Sequence, residues 1–427
     1  MKVLISAYSC EPGKGSERGV GWNVASEVAK HHEVWVLTRP DESREAIEAE
    51  LERNPNQNLH FVYFTLPFWR DSLRWGQSGA IQLHYYLWQI QAYFVARPLH
   101  REIGFDVAHH VTFVKYSCPS FLCFLPIPFV WGPVGGGESA PLPFWVDFSW
   151  RNKLYEVARL AWRTVGELDL FTRLTARRSA IAYAVTEDTA QRLQWLGVTQ
   201  PQICPAIGLL QDEVEHLSRC LPVNISMKCR FISIGRLLHW KGFHLGLRAF
   251  AKANLPEAEY WVVGDGPELK RLQALVQDLG IENQVKFCGE LPRNSVLQAL
   301  EQSSILVHPS LHDSGAGVCL EAMAAGRPIL CLDLGGPAAQ VTSETGFKVP
   351  AENPHQVVEA MADAMIEMTS NSPLCIQMGQ AGQRRVQEFY SWEAKGKQFA
   401  KIYEQIADSN LVADSVERIQ TSRKLAE

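Results

Sequence analysis

The sequence lacks the features that define several common protein classes. Its 427 residues contain no uninterrupted apolar run of about 18 residues, and the closest stretch, Cys118 to Val134, contains four prolines. An integral membrane protein is therefore not expected. The ten cysteines include no C-x-x-C pair, which argues against a metal knuckle or a disulfide framework and suggests a reducing cytoplasm.

The sequence also lacks a strong net charge and a dinucleotide-binding fingerprint. The formal net charge of −5 gives no reason to expect a nucleic-acid partner. The glycine-rich loop near the N-terminus has no G-x-G-x-x-G in register, and no acid cluster of the D-x-D kind stands near the loops. We therefore expect no dinucleotide cofactor and no bound metal. The first residues, MKVLISAY, read as a strand and lack the cleavage region of a signal peptide.

What the sequence does contain is a repeated alternation of short apolar runs and helical segments. Over about 110 residues it predicts strands at 231–234, 260–263, 285–288, 305–307 and 329–332. Helices are predicted between them, near 242–253, 267–279, 292–302 and 318–325. The N-terminal part begins in the same way, with a strand at 3–7, a glycine-rich loop, a helix to about Lys30 and a strand at 33–37. This pattern predicts α/β domains with doubly wound parallel sheets.

The length predicts two domains of about 200 residues each. The region from Ile207 to Lys228 is polar and irregular, and we place the boundary there. The predicted division is a first domain at 1–207, a second at 208–390, a final helix at 391–408 and a polar tail at 409–427. The end of that tail is expected to be poorly ordered.

Residues 305–332 form the most informative unit, a strand, a loop with two glycines, a helix and a strand. Asp313 lies in the loop and Glu321 in the first turn of the predicted helix. A carboxylate accepts two hydrogen bonds side by side, which suits the vicinal hydroxyls of a ribose or a sugar. The amides of Gly315 and Gly317 and the helix N-terminus would favour an anion. The alternative is that Glu321 only complements the helix dipole and Asp313 is a turn residue.

The loop after the first strand of the second domain carries two cations. It reads Gly235-Arg236-Leu237-Leu238-His239-Trp240-Lys241-Gly242. Arg236 offers a fork of donors and Lys241 a point charge, so together they would hold a nucleoside diphosphate opposite Asp313 and Glu321. Taken alone, each of these cations is more often a solvated surface residue.

The first domain offers weaker candidates. Gly13 and Gly15 would let backbone amides approach a ligand closely, although a plain tight turn also explains them. His109 and His110 end a predicted strand, where a histidine could meet a ligand in the crevice, but core histidines are more common. Three glycines at 135–137 suggest close approach to a ligand or acceptor.

Aromatic and basic stretches in the first domain leave two interpretations open. Residues 59–100 are rich in aromatics at helical spacing, for which core packing is favoured over a membrane-facing surface. Residues 150–179 are helical and basic, and they would meet anionic lipid or a phosphorylated acceptor or form a solvated face. Their cations are Arg151, Lys153, Arg159, Arg163, Arg173, Arg177 and Arg178.

Several motifs of the second half resemble retaining nucleotide-sugar glycosyltransferases of the GT-B architecture, glycosyltransferase family 4. They are G-R-L-x-x-x-K-G at 235–242, V-V-G-D-G-P at 262–267, F-C-G-E-L at 287–291, H-P-S at 308–310 and E-A-M-A-A-G-x-P at 321–328. Tyr390-Ser391-Trp392 resembles the start of the family's final helix, which crosses back to the first domain. Over the first domain the resemblance rests on Gly15-Ser16-Glu17 and the D-V-x-H strand at 106–109.

The resemblance implies two Rossmann-like domains facing across a cleft, the first for the acceptor and the second for the donor. Arg236 and Lys241 would neutralise the donor diphosphate, and Glu321 would bind the ribose. Asp313 stands where the family usually has glutamate against the transferred sugar, and Gly315-Ala316 replaces its usual Phe-Gly. The remaining donor contacts would be Gly15, Gly235, Ser314, Gly315 and Ala316. His109 would match the family's first-domain histidine, with His110 as the second choice.

The implied reaction transfers a sugar with retention at the anomeric carbon, without a metal, from a UDP- or GDP-linked donor. The acceptor is expected to be a glycan or a lipid-linked saccharide, and the enzyme cytoplasmic, with peripheral contact to an anionic inner membrane face. Two alternatives are a nucleotide-sugar epimerase of similar fold and a non-catalytic nucleotide-sugar binding protein, since one fold hosts several functions.

Overall fold

The computed structural model describes residues 1–69, 79–113, 115–222 and 229–424. It contains two parallel sheets. The first has seven strands: β1 Lys2–Ser6, β2 Glu33–Thr38, β3 Leu59–Tyr63, β4 Val107–His110, β5 Phe129–Val134, β6 Ile181–Ala184 and β7 Gln202–Ile203. The second has six: β8 Arg230–Ile234, β9 Glu259–Val263, β10 Val285–Gly289, β11 Ile305–His308, β12 Ile329–Leu332 and β13 Gly346–Val349.

Helices connect these strands. Those of the first half are α1 Ser16–Val28, α2 Pro40–Arg53, α3 Gly79–Ile103, α4 Trp150–Leu168, α5 Leu170–Arg178, α6 Glu187–Leu196 and α7 Gln211–Ser218. Those of the second half are α8 Phe243–Ala253, α9 Leu269–Asp278, α10 Arg293–Glu301, α11 Gly317–Ala324, α12 Gly335–Gln340, α13 Pro354–Ser370, α14 Ser372–Arg385 and α15 Trp392–Lys424.

The strand order places the loops that the sequence singled out at one edge of each sheet. The orders are β3-β2-β1-β4-β5-β6-β7 and β10-β9-β8-β11-β12-β13. In each sheet the direction of winding reverses between the first and fourth strands, and the crevice at such a reversal is where ligands bind in doubly wound folds. The loops after β1 and β4 share one crevice, and the loops after β8 and β11 share the other.

The predicted fold class is confirmed, and so are the five strands predicted between 231 and 332. The sequence missed β13, α12 and α14. The segment of α12 reads GGPAAQ, and glycine and proline there indicated a loop rather than a helix. α15 continues to Lys424, beyond the helix end predicted at 408. Residues 70–78 of the aromatic region, 223–228 of the boundary region and 425–427 of the tail lie outside the described residues.

Each sheet is covered by helices on both faces. α1, α2 and α15 cover one face of the first sheet, and α3, α5 and α6 cover the other. In the second sheet α8, α9 and α13 cover one face, and α7, α10 and α11 the other. Strands buried on both faces are continuously apolar rather than alternating, which is why short apolar runs predicted them correctly.

The chain passes between the two sheets twice, and the two crossings lie side by side. Leu209 follows β7 on the way out, and its amide donates to the carbonyl oxygen of Tyr390 at 2.8 Å. Trp392 begins α15 on the way back, and its amide donates to the carbonyl oxygen of Leu209 at 3.0 Å. Lys395 adds a hydrogen bond to the carbonyl oxygen of Pro205.

α15 returns to the first sheet and packs tightly on α1. A Cβ added at Gly396 would overlap the Cβ of Glu27 on α1, so the two helices approach as closely as a glycine allows. Phe399 and Tyr403 follow on the same face and are buried among the core side chains of the first sheet.

We predict that Gly396→Ala destabilises the protein, although alanine normally stabilises a helix interior relative to glycine. The added methyl group forces α15 away from Glu27, and such overpacking costs about 1–3 kcal/mol. Denaturant unfolding measures this difference. Gln398→Ala, at an exposed position of the same helix, is the control and should not destabilise the protein. A Gly396→Ala protein as stable as wild type would contradict the close packing.

Candidate active site

The loop after β8 is held against the loop after β11 by a glycine. Gly242 has a φ of 67°, and a Cβ at this position would overlap the carbonyl oxygen of Pro309. This close approach needs a residue without a side chain. It brings Lys241, which precedes Gly242, to the loop that carries Asp313.

Asp313 is the centre of a partly buried hydrogen-bonded cluster. Its Oδ2 accepts a hydrogen bond from the ammonium group of Lys241 and lies 3.1 Å from Nε2 of His308. Its Oδ1 accepts from the amide of Ala316 at 3.3 Å. The structure thus brings together two predicted site residues, Lys241 and Asp313, and adds His308, which the sequence showed only as part of the H-P-S motif.

The environment of Asp313 keeps its carboxyl group ionised. Burial alone would raise the pKa of Asp313, but the hydrogen bond from His308 and the charge of Lys241 outweigh it and hold that pKa well below its usual range. Burial lowers the pKa of His308, so this imidazole is neutral near neutral pH and donates its Nε2–H to the carboxylate. The cluster is therefore a fixed carboxylate with one neutral and one cationic donor.

The two remaining charged candidates of the second domain differ in their surroundings. Arg236 is exposed, and among the described residues it has no side-chain hydrogen bond or ion pair in the structure. Glu321 accepts a hydrogen bond from Arg293 at 2.6 Å. Arg293, on α10, also donates to Glu213 on α7 at 3.0 Å. The sequence did not point to Arg293, because nothing in its local pattern relates it to Glu321.

The position of Glu321 corrects one expectation. α11 begins at Gly317, so Glu321 lies in the second turn of the helix and not in the first. A carboxylate there is too far from the N-terminal amides to complement the helix dipole strongly. Burial raises the pKa of Glu321 despite the nearby charge of Arg293, which is typical of a carboxyl group placed for a specific contact.

The loop between Asp313 and α11 has an unusual backbone. Ala316 is the N-cap residue of α11 with φ 45° and ψ 45°, a left-handed conformation that is costly for a residue with a Cβ. The neighbouring Gly315 accepts a hydrogen bond at its carbonyl oxygen from the side chain of Gln340 at 2.6 Å. Gly235, at the start of the loop after β8, also has positive φ, at 149°.

Ser314 connects this loop directly to the first domain. Its hydroxyl donates to Oε2 of Glu138 at 2.7 Å, and a Cβ at Gly135 would lie 3.3 Å from the Ser314 side chain. Glu138 is buried and also accepts from the hydroxyls of Thr186 at 2.6 Å and Thr189 at 3.0 Å. Glu138 was not predicted as a site residue from the sequence, although its position directly after three glycines could have indicated it.

The triple glycine at 135–137 has a structural reason that the sequence did not reveal. A Cβ at Gly137 would lie 2.5 Å from the Cα of Thr189, and Gly136 has a φ of 93°. Arg163 fixes the loop by donating to the carbonyl oxygens of Gly137 at 2.6 Å and Glu138 at 3.0 Å. Arg163 is buried and is therefore not one of the surface cations expected of α4.

His109 lies in the core and not at the crevice expected from the sequence. It is fully buried, with Nδ1 2.5 Å from the hydroxyl of Tyr403 on α15 and Nε2 2.6 Å from the carbonyl oxygen of Gly132. Burial lowers the pKa of His109 to about 4 and that of His110 to about 3. His110 contacts Tyr85 and Thr112. Direct contact of His109 with a ligand would require breaking one of its two hydrogen bonds.

The loop after β1 lies open beside the loop after β4. Gly15 is the exposed N-cap residue of α1, and a Cβ there meets no atom within 4 Å. The carboxylate of Glu17, two residues later, accepts a hydrogen bond from the amide of Phe113 at 3.1 Å. Lys115, in the loop after β4, forms an isolated backbone β-bridge with Gly135. The loop after β4 therefore connects Glu17 of α1 with the glycines at 135–137.

A second contact between the domains involves a carboxylate of α4. Glu156 is buried, and one of its oxygens lies 3.0 Å from Nε2 of His239 and 3.3 Å from Nε2 of His312. Trp240 stacks between Tyr155 of α4 and His312, with ring centroids 5.4 and 5.1 Å apart. His239 and His312 are close in sequence to Lys241 and Asp313, so α4 supports both loops of the candidate site.

Two further properties concern metal ions and membranes. In the described part of the chain, no three histidine, cysteine, aspartate or glutamate side chains are grouped so that they could hold a metal ion. None of the described helices combines the length and the apolar character that crossing a bilayer requires.

Comparison with known families gives a match in the second half of the chain. Residues 223–385 match the family model described as Glycosyl transferases group 1. The 2-deoxystreptamine N-acetyl-D-glucosaminyltransferase of Streptomyces fradiae is 30% identical over 219 residues, which cover 49% of this chain and 52% of that protein. The D-inositol 3-phosphate glycosyltransferase of Corynebacterium jeikeium is 31% identical over 183 residues, 40% of this chain and 42% of that protein. The matches thus span about half the length of these curated relatives.

Solved structures are similar over both sheets. Sucrose-phosphate synthase of Thermosynechococcus elongatus aligns over 96% of this chain and 99% of its own, with a TM-score of 0.61 and 16% identity. The chain has the GT-B fold. HepE of Anabaena, in complex with UDP and glucose, aligns with this GT-B chain over 95% of its length and 100% of HepE, with a TM-score of 0.57 and 17% identity. At such identity the likeness shows the fold alone.

We predict that Glu156→Gln lowers the stability of this GT-B chain in a pH-dependent way. Burial would raise the pKa of Glu156, but the hydrogen bonds from His239 and His312 lower it from 4.5 to about 2. A carboxyl group whose pKa is lower in the folded than in the unfolded state stabilises the folded state at pH values above its unfolded pKa. This stabilisation is lost as the pH falls through the folded pKa. The variant should lose about 1–3 kcal/mol near neutral pH.

Urea unfolding at several pH values measures this effect. The difference between wild type and Glu156→Gln should be full above pH 4.5 and shrink as the pH approaches 2. Glu282→Gln, at an exposed position of the second domain, is the control and should be neutral. An equal loss for Glu156→Gln at every pH would show that the ionised carboxylate is not what stabilises the contact.

Proposed function

We propose that this chain is a glycosyltransferase that moves a sugar from a UDP- or GDP-linked donor to a hydroxyl acceptor, with retention of the anomeric configuration. The observation that carries the proposal is the direct contact of Lys241 with Asp313 at the edge shared by β8 and β11. Both residues lie within the segment that matches the Glycosyl transferases group 1 family. The names of the curated relatives and the UDP of HepE support the substrate class.

The proposed donor site uses the second domain. The diphosphate of the donor binds Arg236, which is exposed at the loop after β8, and Lys241. Glu321 accepts hydrogen bonds from the ribose hydroxyls, and its partner Arg293 orients the carboxylate. Gly235, Ser314, Gly315 and Ala316 place backbone and small side chains near the donor, and Gly15 contributes an amide from the first domain.

The proposed chemistry is electrostatic. Negative charge accumulates on the diphosphate as the bond to the sugar breaks, and preorganised cations stabilise such charge most where water is excluded. Lys241 is preorganised because Asp313 fixes its ammonium group. The departing phosphate oxygen accepts the proton of the attacking acceptor hydroxyl on the same face of the sugar. In this metal-independent scheme, Arg236 and Lys241 supply the positive charge.

Asp313 has two proposed roles that its surroundings make compatible. Its Oδ2 binds Lys241 and His308, while Oδ1 has the amide of Ala316 as a long hydrogen-bond donor at 3.3 Å. A sugar hydroxyl that approaches Oδ1 at an ordinary hydrogen-bond distance would form a stronger hydrogen bond than this amide does. Asp313 therefore positions the cation and contacts the transferred sugar, and the second of these roles is the one that the resemblance implies for the longer glutamate of the family.

We predict that nucleotide binding depends on Lys241. Titration calorimetry with UDP and with GDP should show binding of one nucleotide on the order of micromolar affinity. Lys241→Ala should weaken it by about 10- to 100-fold, since a hydrogen bond to a charged group contributes about 1.5–3 kcal/mol. Lys270→Ala is the control, because Lys270 is an exposed lysine of the same domain. Binding of neither nucleotide by wild type, or equal binding by Lys241→Ala, would remove the basis of the proposed site.

Turnover separates a transferase from the other functions that the sequence left open. We expect UDP or GDP to be released from a sugar donor only when an acceptor saccharide is added, because the acceptor hydroxyl completes the reaction. The anomeric configuration of the product, measured by nuclear magnetic resonance, should match that of the donor. Conversion of the donor sugar without any acceptor would indicate an epimerase. Tight binding without turnover of any donor and acceptor pair would indicate a binding protein.

A further inference from the structure

α4 has the reverse of the usual polarity of a surface helix. Its buried residues are the charged Glu156, Arg163 and Glu167. Its outward face carries large apolar side chains that are 51–70% exposed: Trp150, Leu154, Val157, Trp162, Val165 and Leu168. A surface helix normally buries its apolar stripe, whereas α4 exposes its apolar face to the solvent.

The buried charges fix the helix in this orientation. Glu156 contacts His239 and His312 of the second domain, and Arg163 donates to the carbonyl oxygens of the loop at 137–138. Glu167 accepts from the hydroxyl of Tyr116 at 2.5 Å. Turning the apolar face inward would leave these three charges without partners, which costs far more than the exposure of the apolar side chains.

The apolar side chains form a continuous surface. Trp150, Leu154, Val157, Val165 and Leu168 are spaced four, three, eight and three residues apart, so they follow one face over the length of α4. The surface continues on both sides, where Leu142, Val146, Leu170 and Phe171 are exposed. An apolar surface of this kind marks an interaction site. We call it the α4 surface.

Along the helical segment that carries the α4 surface, the exposed charges are of one sign. Between residues 149 and 180 every exposed charged side chain is basic, namely Arg151, Lys153, Arg177 and Arg178. The acids of this segment are buried in the case of Glu156 and Glu167, and half-buried in the case of Asp169, which caps α5. The whole chain has a net charge of −5, so the α4 surface is a local positive region of an acidic protein.

We propose that the α4 surface docks on an anionic lipid bilayer. Exposed leucine, valine and tryptophan on one helix face, with exposed cations in the same segment, are the pattern of helices that lie in the headgroup region. The two tryptophans suit the boundary between headgroups and acyl chains. The acidic headgroups complement Arg151, Lys153, Arg177 and Arg178, each of which contributes to attraction near the surface.

Docking would place the candidate site next to the bilayer. The buried face of α4 touches His239 and His312, which precede Lys241 by two residues and Asp313 by one. One face of α4 thus contacts these loops, and the opposite face carries the α4 surface. Resting on the proposed function, this arrangement assigns the acceptor to the class of lipid-linked saccharides.

Flotation with vesicles tests the proposal. The full chain should float with phosphatidylcholine vesicles containing about 30% phosphatidylglycerol, float less with phosphatidylcholine alone, and bind less as salt is raised, because salt screens the basic residues. Leu154→Glu/Val165→Glu should lower the partition coefficient at least about tenfold. The matched control, Leu221→Glu/Ile366→Glu, adds the same charge at exposed apolar positions elsewhere and should float like wild type.

A second variant guards against misfolding. Arg151→Gln/Lys153→Gln leaves the apolar side chains in place and should reduce the preference for anionic vesicles by a few-fold while the melting temperature stays unchanged. Absence of wild-type flotation at low salt would overturn the proposal. A wild-type dimer that Leu154→Glu/Val165→Glu converts to a monomer, without vesicle binding, would instead assign the α4 surface to a second copy of the chain.

Nucleotide binding by the same proteins keeps the two proposals separate. Loss of flotation in Leu154→Glu/Val165→Glu with unchanged binding of UDP or GDP is the expected result. Flotation of a wild-type protein that binds neither nucleotide would leave the docking surface in place while removing the proposed function. Nucleotide binding without flotation would remove the docking surface and leave the proposed function intact.

Discussion

The contact between the two domains depends on carboxylates of the first domain that are buried against loops of the second. Glu138 meets Ser314, and Glu156 meets His239 and His312. An ionised carboxylate taken out of water costs several kcal/mol unless donors surround it. Glu138 has hydrogen-bond donors from both domains, and the hydrogen-bond donors to Glu156 come from the second domain. The loops that carry Lys241 and Asp313 are therefore held in place by the need to satisfy buried charges.

The sequence predicted what is local and missed what joins distant segments. Apolar runs and helical spacing gave the strands from β8 to β12, and the adjacency of β8 and β11 in a doubly wound sheet brought Lys241 to Asp313. The partners Ser314 and Glu138 are separated by 176 residues, and no pattern in a single sequence relates them. His109 was placed at the crevice because it ends β4, whereas Tyr403, 294 residues away, holds it in the core.

The helix α4 shows the same limit in another form. Its spacing indicates an amphipathic helix and its composition indicates a basic one, but neither indicates which face is buried. That choice depends on His239, His312 and the carbonyl oxygens at 137–138, which belong to other parts of the chain. The charged face of α4 contacts the site loops, and its apolar face is exposed. Because both faces belong to one helix, a change in the position of the apolar face also moves the charged face.

The paired crossings at Leu209 and Trp392 restrict how the two halves of this GT-B chain move relative to each other. Two covalent connections that lie side by side and exchange backbone hydrogen bonds act as a single pivot. Rotation about that pivot changes few torsion angles, whereas sliding one half along the other would shear both connections. Any separation of the opposing loops would therefore be confined to rotation about this pivot, and it would break the contacts of Glu138 with Ser314 and of Glu156 with His239 and His312.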